Sequence, residues 1–338
     1  MAQRFLAATL AYALTALLTP TAMRLAGAIG ALDIPRDGRR MHTRPVPRTG
    51  GVALFAAFVV AGGWIGGEMV GVSRLLGGVT LLCVLGVLDD VFRLPAGGKL
   101  IVQLLAASVA VSGGQGIETV SLWGRTLVLG SWSAPISVLW LVVCVNAHNM
   151  IDGLDGLAAG ISTIEAFLVS VLLALQGNGT LSGVALVLCG AGLGFLPYNR
   201  HPARVFMGDT GSQLLGFVLG YLTLAIDQRA AGDLGALVPL FVLAVPLSDL
   251  IFAVLRRVAR GENPFAADRG HWHHRLSDAG LSQRQVCFWM MLFSAQLGGV
   301  GLLILRDAWY GYAVYAVLWA LTSLMGLRLA LGGQTRRA

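Results

Sequence analysis

The sequence has 338 residues, of which 56% are hydrophobic and only 12% are charged, and its mean hydropathy is +0.74. Soluble domains carry about a quarter charged residues, so this composition excludes a soluble globular protein and indicates a chain that lies in a bilayer. The net charge of +7 does not indicate a nucleic-acid partner, because the arginines occupy short segments between apolar runs, where they report membrane topology.

Apolar runs of membrane-crossing length recur along the whole chain. They predict an all-α polytopic membrane protein, with one membrane domain over residues 1–338 and about eleven transmembrane helices. The predicted limits are 4–23, 50–68, 74–92, 99–113, 134–150, 155–176, 180–198, 210–227, 235–258, 286–305 and 309–331. The first run is long and no small-residue cleavage site follows it, which favours a membrane helix over a signal peptide. Within residues 114–133, the run Val120-Ser121-Leu122-Trp123 alternates in polarity and predicts a small hairpin on the outer side.

Basic residues are divided unequally between the two sets of loops. Of the 24 Lys and Arg residues, nineteen fall in one set of loops and the C-terminal tail, and five fall in the other set. The positive-inside rule then places the N-terminus outside and the C-terminus in the cytoplasm. The longest polar segment, 259–285, becomes a cytoplasmic loop, and its His, Arg, Asp and Trp residues predict a functional one.

Four segments rich in acids or histidines all fall on the predicted cytoplasmic side. They contain the pair Asp89-Asp90 and the ranges 146–157, 205–212 and 263–274. Carboxylates near a bilayer are costly and need a reason. Their grouping predicts a divalent cation and a phosphate-bearing substrate, because Mg²⁺ binds through one or two carboxylates together with substrate phosphates.

Spacing and helix position suggest how these residues act. Asn146, Asn149 and Asp152 are three residues apart, so on a helix they share one face and predict convergence on one ion. The start of the eighth helix, near Asp209, offers backbone N–H groups for a phosphate. Asp249 lies close enough to the end of the ninth helix to reach the same cavity, whereas a deeper acid in the sixth helix is predicted to be a structural hydrogen-bonding partner.

Each segment alone also has a structural interpretation. The acidic pair is consistent with a helix end in the headgroup zone, the Asn/Asp spacing with polar contacts between helices, and Asp209 with stabilisation by the helix dipole. The histidines are consistent with solvated loop residues, and zinc is disfavoured because no Cys or Glu partner is evident. The functional interpretation is favoured because all four segments face one side. The cysteines lie inside apolar runs and are predicted to be packing residues; they are Cys83, Cys144, Cys189 and Cys287.

At these motifs the sequence resembles the polyprenyl-phosphate N-acetylhexosamine-1-phosphate transferases, the superfamily of the MraY and WecA enzymes. The resemblance extends from about residue 33 to 285, in matching order, and its marks are Asp33-x-Pro35, 47–51, Asp89-Asp90, 146–157, 206–212 and 264–274. The His-x-His-His arrangement and eleven predicted spans are closer to the WecA-type branch. Arg93 departs from the Asp-Asp-x-x-Asp that such enzymes often have, which argues against a polyprenyl-diphosphate-binding interpretation of the pair.

The resemblance implies roles for individual residues. The implied metal ligands are Asn149 and Asp209, for Mg²⁺ with Mn²⁺ as a substitute. The implied catalytic residues are Asp89, Asp90, Asp152, His273 and His274. The implied substrate-binding residues are Asn146, Asp155, Phe206, Arg269 and His271. In this set the acidic pair lies near the lipid phosphate, and one of its members removes a proton if one must be removed.

The resemblance also implies a reaction and a place. The reaction is transfer of N-acetylglucosamine-1-phosphate, or a related N-acetylhexosamine-1-phosphate, from a UDP-sugar to undecaprenyl phosphate at the cytoplasmic face of a bacterial inner membrane. UMP is released, and a lipid-linked glycan such as O-antigen or common antigen is begun. Direct displacement and a covalent aspartyl intermediate both stay open, as does assembly as a homodimer. The rival functions are a transporter or flippase, which would place polar groups near the midplane, and a membrane scaffold.

Overall fold

The computed structural model describes residues 1–34, 44–66, 68–228, 234–262 and 270–306, together with 316 and 320. Within these residues the chain forms twelve α-helices and two antiparallel strand pairs. The helices are α1 (Ala2–Ile29), α2 (Gly50–Gly66), α3 (Val70–Phe92), α4 (Ala96–Val111), α5 (Ser133–Ile151), α6 (Leu157–Leu175), α7 (Gly179–Asn199), α8 (Gly208–Leu224), α9 (Leu237–Val242), α10 (Ala244–Ala259), α11 (Trp272–Asp278) and α12 (Gln283–Arg306). The strands are β1 (Leu32–Asp33), β2 (Val46–Pro47), β3 (Thr119–Leu122) and β4 (Arg125–Val128).

Six of the helical segments in the described residues are long and apolar enough to cross a membrane, and α2 and α4 are shorter apolar helices. The predicted all-α, multi-pass membrane architecture is therefore confirmed. The eleventh predicted span, 309–331, lies outside the described residues apart from 316 and 320. The helix that carries Asp209, α8, is central: it is buried along almost its whole length and packs against α2, α3, α5, α6 and α7.

The predicted ninth helix is not continuous, and this corrects the prediction of one span over 235–258. The helix stops at Val242, and α10 begins at Ala244. Pro246 explains the break, because its ring would clash with the carbonyl of Val242 four residues earlier and it offers no N–H to that carbonyl. Hydropathy alone does not reveal this break, because all the residues around it are apolar.

The predicted hairpin on 114–133 is confirmed. Strand β3 pairs with β4 in antiparallel register, with Leu122 opposite Arg125. The two residues between them, Trp123 and Gly124, have φ values of 50° and 70°. Positive φ at both central positions is the requirement of a type I′ turn, whose twist matches that of the strands it joins.

Two groups of residues expected to be structural are buried. Oε2 of Glu165, on α6, lies 2.9 Å from Nε2 of His148. The other ring nitrogen of His148, Nδ1, donates to the Cys144 carbonyl at 2.8 Å. The predicted structural role of the deep acid in the sixth helix is thereby confirmed. The pair joins α5 to α6, and His148 lies within the polar segment 146–157. All four cysteines are also buried, as expected for packing residues.

We expect Gly86→Ala to lower the thermal stability of the protein. Helix α3 passes α8 so closely that a Cβ at Gly86 would lie 2.5 Å from the backbone nitrogen of Thr210. Backbone atoms cannot move aside as a flexible side chain can, and overpacking of this kind costs about 1–3 kcal/mol. Thermal unfolding in detergent measures the loss. Gly97→Ala is the matched control, because nothing lies within 4 Å of a Cβ there; equal melting temperatures for both variants would contradict the close approach.

Candidate active site

The N-terminus of α8 holds a carboxylate of the same chain. Asp90 accepts the N–H of Asp209 at 3.1 Å through Oδ1, and Oδ2 accepts the N–H of Thr210 at 3.4 Å and its hydroxyl at 3.1 Å. Arg48 Nε lies 3.6 Å from Asp90 Oδ1. The prediction that these N–H groups serve a phosphate is therefore wrong. A negative charge does lie at the positive end of the helix, but Asp90 supplies it.

Asp209 itself faces a different set of partners. Lys99 Nζ lies 3.0 Å from Asp209 Oδ2 and 2.7 Å from Asp89 Oδ2. The Asn149 side chain also hydrogen-bonds that of Asp209. Asp89 additionally accepts the N–H of Leu94 at 2.7 Å, which caps the end of α3. Four helices, α3, α4, α5 and α8, therefore meet in one group of side chains, the carboxylate cluster, formed by Asp89, Lys99, Asn149 and Asp209.

The donor set of the carboxylate cluster fits a small, hard cation. The Lys99 ammonium already lies between two carboxylates, which marks the point where their negative charges converge. Carboxylate and amide oxygens are the ligand types that Mg²⁺ takes, commonly one or two from protein with the rest from water and substrate phosphates. In the part of the chain that the structure describes, no group of three or more His, Cys, Asp or Glu side chains forms a metal site. Asp89, Asn149 and Asp209 supply oxygen atoms of these types.

The three polar residues at the end of α5 have different contacts in the structure. Asn146 Nδ2 donates to Gln103 Oε1 at 2.9 Å and to a carbonyl one turn earlier, which holds it inside the bundle. Asn149, one turn further along, joins the carboxylate cluster. Asp152 follows the last turn of α5, where burial and then the negative charge of Asp209 raise its pKa well above the ordinary aspartate range. Asn149 therefore contacts Asp209 and Asn146 contacts Gln103, and the convergence of all three residues on one ion stays a prediction.

The segment before α8 forms a wall of the site. The Phe206 N–H donates to the Pro47 carbonyl at 2.8 Å, and Gly50 and Gly51 donate to the carbonyls of Phe206 and Met207 at 3.0 and 2.9 Å. These bonds tie the segment to β2 and to the first turn of α2. The Phe206 side chain is half-buried and keeps an accessible surface.

Asp155 is bound to the loop between α7 and α8. Its Oδ2 lies 2.8 Å from His201 Nδ1 and accepts the N–H of Ala203 at 3.1 Å. Phe206 follows in the same segment, so this loop joins two of the residues that the resemblance implies for substrate binding. Their contacts with a ligand stay a prediction.

The histidine segment is anchored by the acid in α10. Asp249 Oδ2 lies 2.8 Å from His271 Nδ1, and its Oδ1 accepts the N–H of Trp272 at 2.8 Å. Asp249 therefore contacts the histidine segment, and its reach into the cavity of the carboxylates stays a prediction. His271 and His273 stack with ring centroids 5.7 Å apart. A Cβ at Gly153 would lie 2.5 Å from His273 Nε2, so the histidine segment packs directly against the loop that follows Asp152.

Of the remaining predicted site residues, the structure describes His273 and His274 but not Arg269. His274 is half-buried beside His273, with ring centroids 4.3 Å apart. Arg269 lies outside the described residues, and its role stays a prediction. His273 is almost wholly buried, and within the described residues its Nδ1 has no hydrogen-bond partner. A buried polar atom without a partner is costly, so it marks a place where a ligand or water is needed.

Lys99 is the main residue that the sequence analysis left out of the site. It is counted there only among the basic residues that set topology, yet it bridges the two carboxylates of the carboxylate cluster. The sequence did contain one signal. Lys99 is the single lysine among its 24 Lys and Arg residues, and all the others are arginine. A compact ammonium fits between two carboxylates where the wider guanidinium does not.

We expect protonation of His273 to destabilise the folded protein. Burial, with a further contribution from His274, lowers the pKa of His273 to about 4, whereas an unfolded histidine titrates near about 6.5. The unfolded chain therefore binds a proton first, so stability is intact above about pH 6.5 and is lost as the pH falls towards 4. Melting temperatures of the wild type and of His273→Gln from about pH 7 to about pH 4.5 measure this. Parallel curves for the two proteins would contradict the expectation.

Taken together, long apolar helices and a polar centre at one end of the bundle define a multi-pass membrane enzyme of phosphate chemistry. Sequence comparison gives its family. The model of glycosyl transferase family 4 matches residues 72–227. A protein of Bacillus subtilis (strain 168), named as a probable undecaprenyl-phosphate N-acetylglucosaminyl 1-phosphate transferase, is 39% identical over 272 residues, covering 79% of this chain and 75% of its own. The chain belongs to glycosyl transferase family 4, among its polyprenyl-phosphate N-acetylglucosamine-1-phosphate transferases.

Two other relatives carry related names. The decaprenyl-phosphate N-acetylglucosaminephosphotransferase of Mycobacterium tuberculosis (strain CDC 1551 / Oshkosh) is 36% identical over 296 residues, covering 78% of this chain and 72% of its own. The undecaprenyl-phosphate alpha-N-acetylglucosaminyl 1-phosphate transferase of Escherichia coli (strain K12) is 28% identical over 295 residues, covering 83% of this chain and 78% of its own. The family resemblance inferred from the motifs is therefore confirmed.

Proposed function

We propose that this protein transfers N-acetylglucosamine-1-phosphate from UDP-N-acetylglucosamine to undecaprenyl phosphate and releases UMP. The carboxylate cluster carries the proposal, because it gathers two carboxylates, an amide and a lysine at one end of a bundle of membrane helices. A diphosphate and a lipid phosphate must be brought together at such an interface with their negative charges neutralised. The names of the relatives support the same reaction.

The reaction forms one P–O bond and breaks another. An oxygen of the lipid phosphate attacks the phosphorus that carries the sugar, and the bridging oxygen leaves with UMP. The nucleophile and the leaving group are both anionic, so catalysis depends on positioning and on neutralising charge. Because the lipid phosphate is already a nucleophile, we propose a direct displacement without a covalent aspartyl intermediate.

The carboxylate cluster is the proposed place of Mg²⁺, with Asp209 and Asn149 as ligands and Mn²⁺ as a substitute. When bound, the ion supplies positive charge to the diphosphate oxygens. Lys99 offsets the charge of Asp89 and Asp209 and bridges the two carboxylates. Asp89 is the member of the acidic pair proposed to face the lipid phosphate. Asp90 is a positioning residue, because its bonds to the first turn of α8 fix the orientation of Asp209.

The wall and the histidine segment are proposed to hold the rest of the donor. The Phe206 ring is proposed to stack on uracil, with Asp155 bonded to the loop that carries Phe206. His273 is neutral near pH 7, because burial lowers its pKa to about 4. It is therefore proposed to act as a neutral hydrogen-bonding group rather than as a cation. His271 and His274 flank it as further contacts.

The setting of the reaction is part of the proposal. We propose eleven spans in a bacterial inner membrane, with the N-terminus outside and the active site at the cytoplasmic face. The concentration of nineteen of 24 basic residues on one side supports this orientation. The product would then begin a lipid-linked envelope glycan, such as O-antigen or common antigen.

UMP release tests the proposed function. The purified protein in detergent is supplied with undecaprenyl phosphate, Mg²⁺ and a panel of UDP-N-acetylhexosamines. We expect release with UDP-N-acetylglucosamine, its loss with EDTA and its recovery with Mg²⁺ or Mn²⁺. Release only with another sugar would replace the proposed donor and keep the reaction. No release with any sugar, from a folded sample, would overturn the reaction and favour a transporter or scaffold.

A further inference from the structure

A groove on the surface of the bundle lies where α1, β2 and the end of α7 meet. Its volume is about 410 Å³, and its lining residues are Pro20, Met23, Arg24, Pro47, Tyr198 and Arg204. Four of these side chains are apolar or aromatic, and two carry a positive charge. A lining of this kind fits an amphipathic ligand that has one anionic end.

One of the two arginines is held in place for such a ligand. The Arg204 guanidinium carbon lies 5.0 Å from the centroid of the Tyr198 ring. The Tyr198 hydroxyl donates to the carbonyl of Ala16 on α1 at 2.9 Å, which fixes the ring. The contact with the ring restricts the Arg204 side chain, whose planar guanidinium carries several N–H donors. Arg204 is therefore preorganised to donate two hydrogen bonds to a phosphate.

The second arginine faces the same groove from the last part of α1. Arg24 and Arg204 are both exposed, and within the described residues neither forms an ion pair with a carboxylate. Two charges beside an apolar surface, at the end of a membrane helix, attract the anionic headgroups of the cytoplasmic leaflet. This step rests on the orientation proposed above.

The groove is separate from the carboxylate cluster, none of whose residues lines it. Pro47 lies on the boundary: its side chain lines the groove, while its carbonyl accepts the N–H of Phe206. The next residue, Arg48, turns the other way and lies beside Asp90. The groove therefore lies behind the wall that Phe206 forms, and it shares one strand with that wall.

We propose that this groove binds an anionic phospholipid of the surrounding membrane. The phosphate is held by Arg24 and Arg204, and the first part of an acyl chain lies on Pro20 and Met23. The occupant is a membrane phospholipid rather than the lipid substrate, because the substrate phosphate must reach the carboxylate cluster. The bound lipid packs against Pro47 and so supports the strand that holds Phe206.

Lipid retention by the purified full-length protein tests this proposal. Native mass spectrometry in detergent is used to titrate phosphatidylglycerol and, in separate samples, phosphatidylcholine, undecaprenyl phosphate and inorganic phosphate. We expect one tightly retained phosphatidylglycerol, with an apparent affinity about 30-fold weaker in the double variant Arg24→Gln/Arg204→Gln. Arg200→Gln is the matched control, since it removes an exposed charge from the same loop but does not line the groove. It should bind as the wild type does.

Each other outcome would overturn the proposal. Equal affinity in the wild type, the control and the double variant would show attraction to general surface charge only. Retention of phosphatidylcholine equal to that of phosphatidylglycerol would show that the anionic headgroup is not recognised. Retention of undecaprenyl phosphate alone, with the same arginine dependence, would make the groove a substrate-lipid site. Binding of inorganic phosphate as tightly as phosphatidylglycerol would show that the acyl chain does not contribute to binding. UMP release from the same samples is scored separately, so loss of the proposed function is distinguishable from loss of this site.

Discussion

Asp209→Asn is expected to lower the rate of UMP release by about 10²–10³-fold or more, while the protein still inserts and folds. Asp209 is the acid at which Lys99, Asn149 and the first turn of α8 meet. The substitution keeps the size of the side chain and one acceptor oxygen but removes the negative charge of the proposed metal ligand. The measurement is the initial rate of UMP release at saturating Mg²⁺ with both substrates.

A matched Asp→Asn change separates this effect from a general loss of charge. Asp278 is exposed at the end of α11, in the same polar segment as the histidines. Asp278→Asn should leave the rate within about twofold of the wild type, because surface substitutions away from special features have small effects. A near-normal rate for Asp209→Asn, in protein that elutes as a single folded species, would remove Asp209 from the metal site.

Lys99→Met should lower the rate of UMP release by about 10²-fold and shift the Mg²⁺ dependence to lower concentrations. The ammonium lies 2.7 Å from Asp89 Oδ2 and 3.0 Å from Asp209 Oδ2, so its removal leaves two carboxylates facing each other. The extra negative charge binds a divalent cation more tightly, and the group that orders the two carboxylates is lost. A titration of UMP release against Mg²⁺ reads both effects in one experiment.

Lys99→Arg is the control for charge. It keeps the positive charge but replaces a compact ammonium by a planar fork, so we expect an intermediate rate and an Mg²⁺ dependence close to that of the wild type. If Lys99→Met changed neither the rate nor the Mg²⁺ dependence, the lysine would have only a structural role between α3, α4 and α8.

The acidic pair shows how neighbouring residues acquire different functions. Successive side chains on a helix do not face the same direction, so Asp89 and Asp90 meet different elements. Asp89 faces Lys99 at the carboxylate cluster, whereas Asp90 caps α8 and lies beside Arg48. The motif is one unit in the sequence, but the fold divides it between a contact with the proposed substrate and a support for Asp209.

Much of the architecture follows from the sequence alone. Hydropathy over windows of membrane length depends only on local composition, so the long apolar helices and the multi-pass class are predictable without tertiary contacts. The hairpin at 119–128 follows from alternation around Trp123-Gly124, which is also local. The polar segments could be recognised because charged groups are rare in a chain with 12% charged residues, so each one stands out against its surroundings.

Tertiary structure alone decided which of those polar groups meet. Lys99 and Asp209 are 110 positions apart, and Asp90 and Thr210 are 120 apart, so no local pattern links them. Close approach of α3 and α8 at Gly86 brings Asp90 to the N–H groups that the sequence assigned to a phosphate. Residue types and spacing therefore determined the membrane class, the family motifs and the candidate site residues. The fold decided their pairing, because buried charges settle on whichever partners the helix packing places within reach.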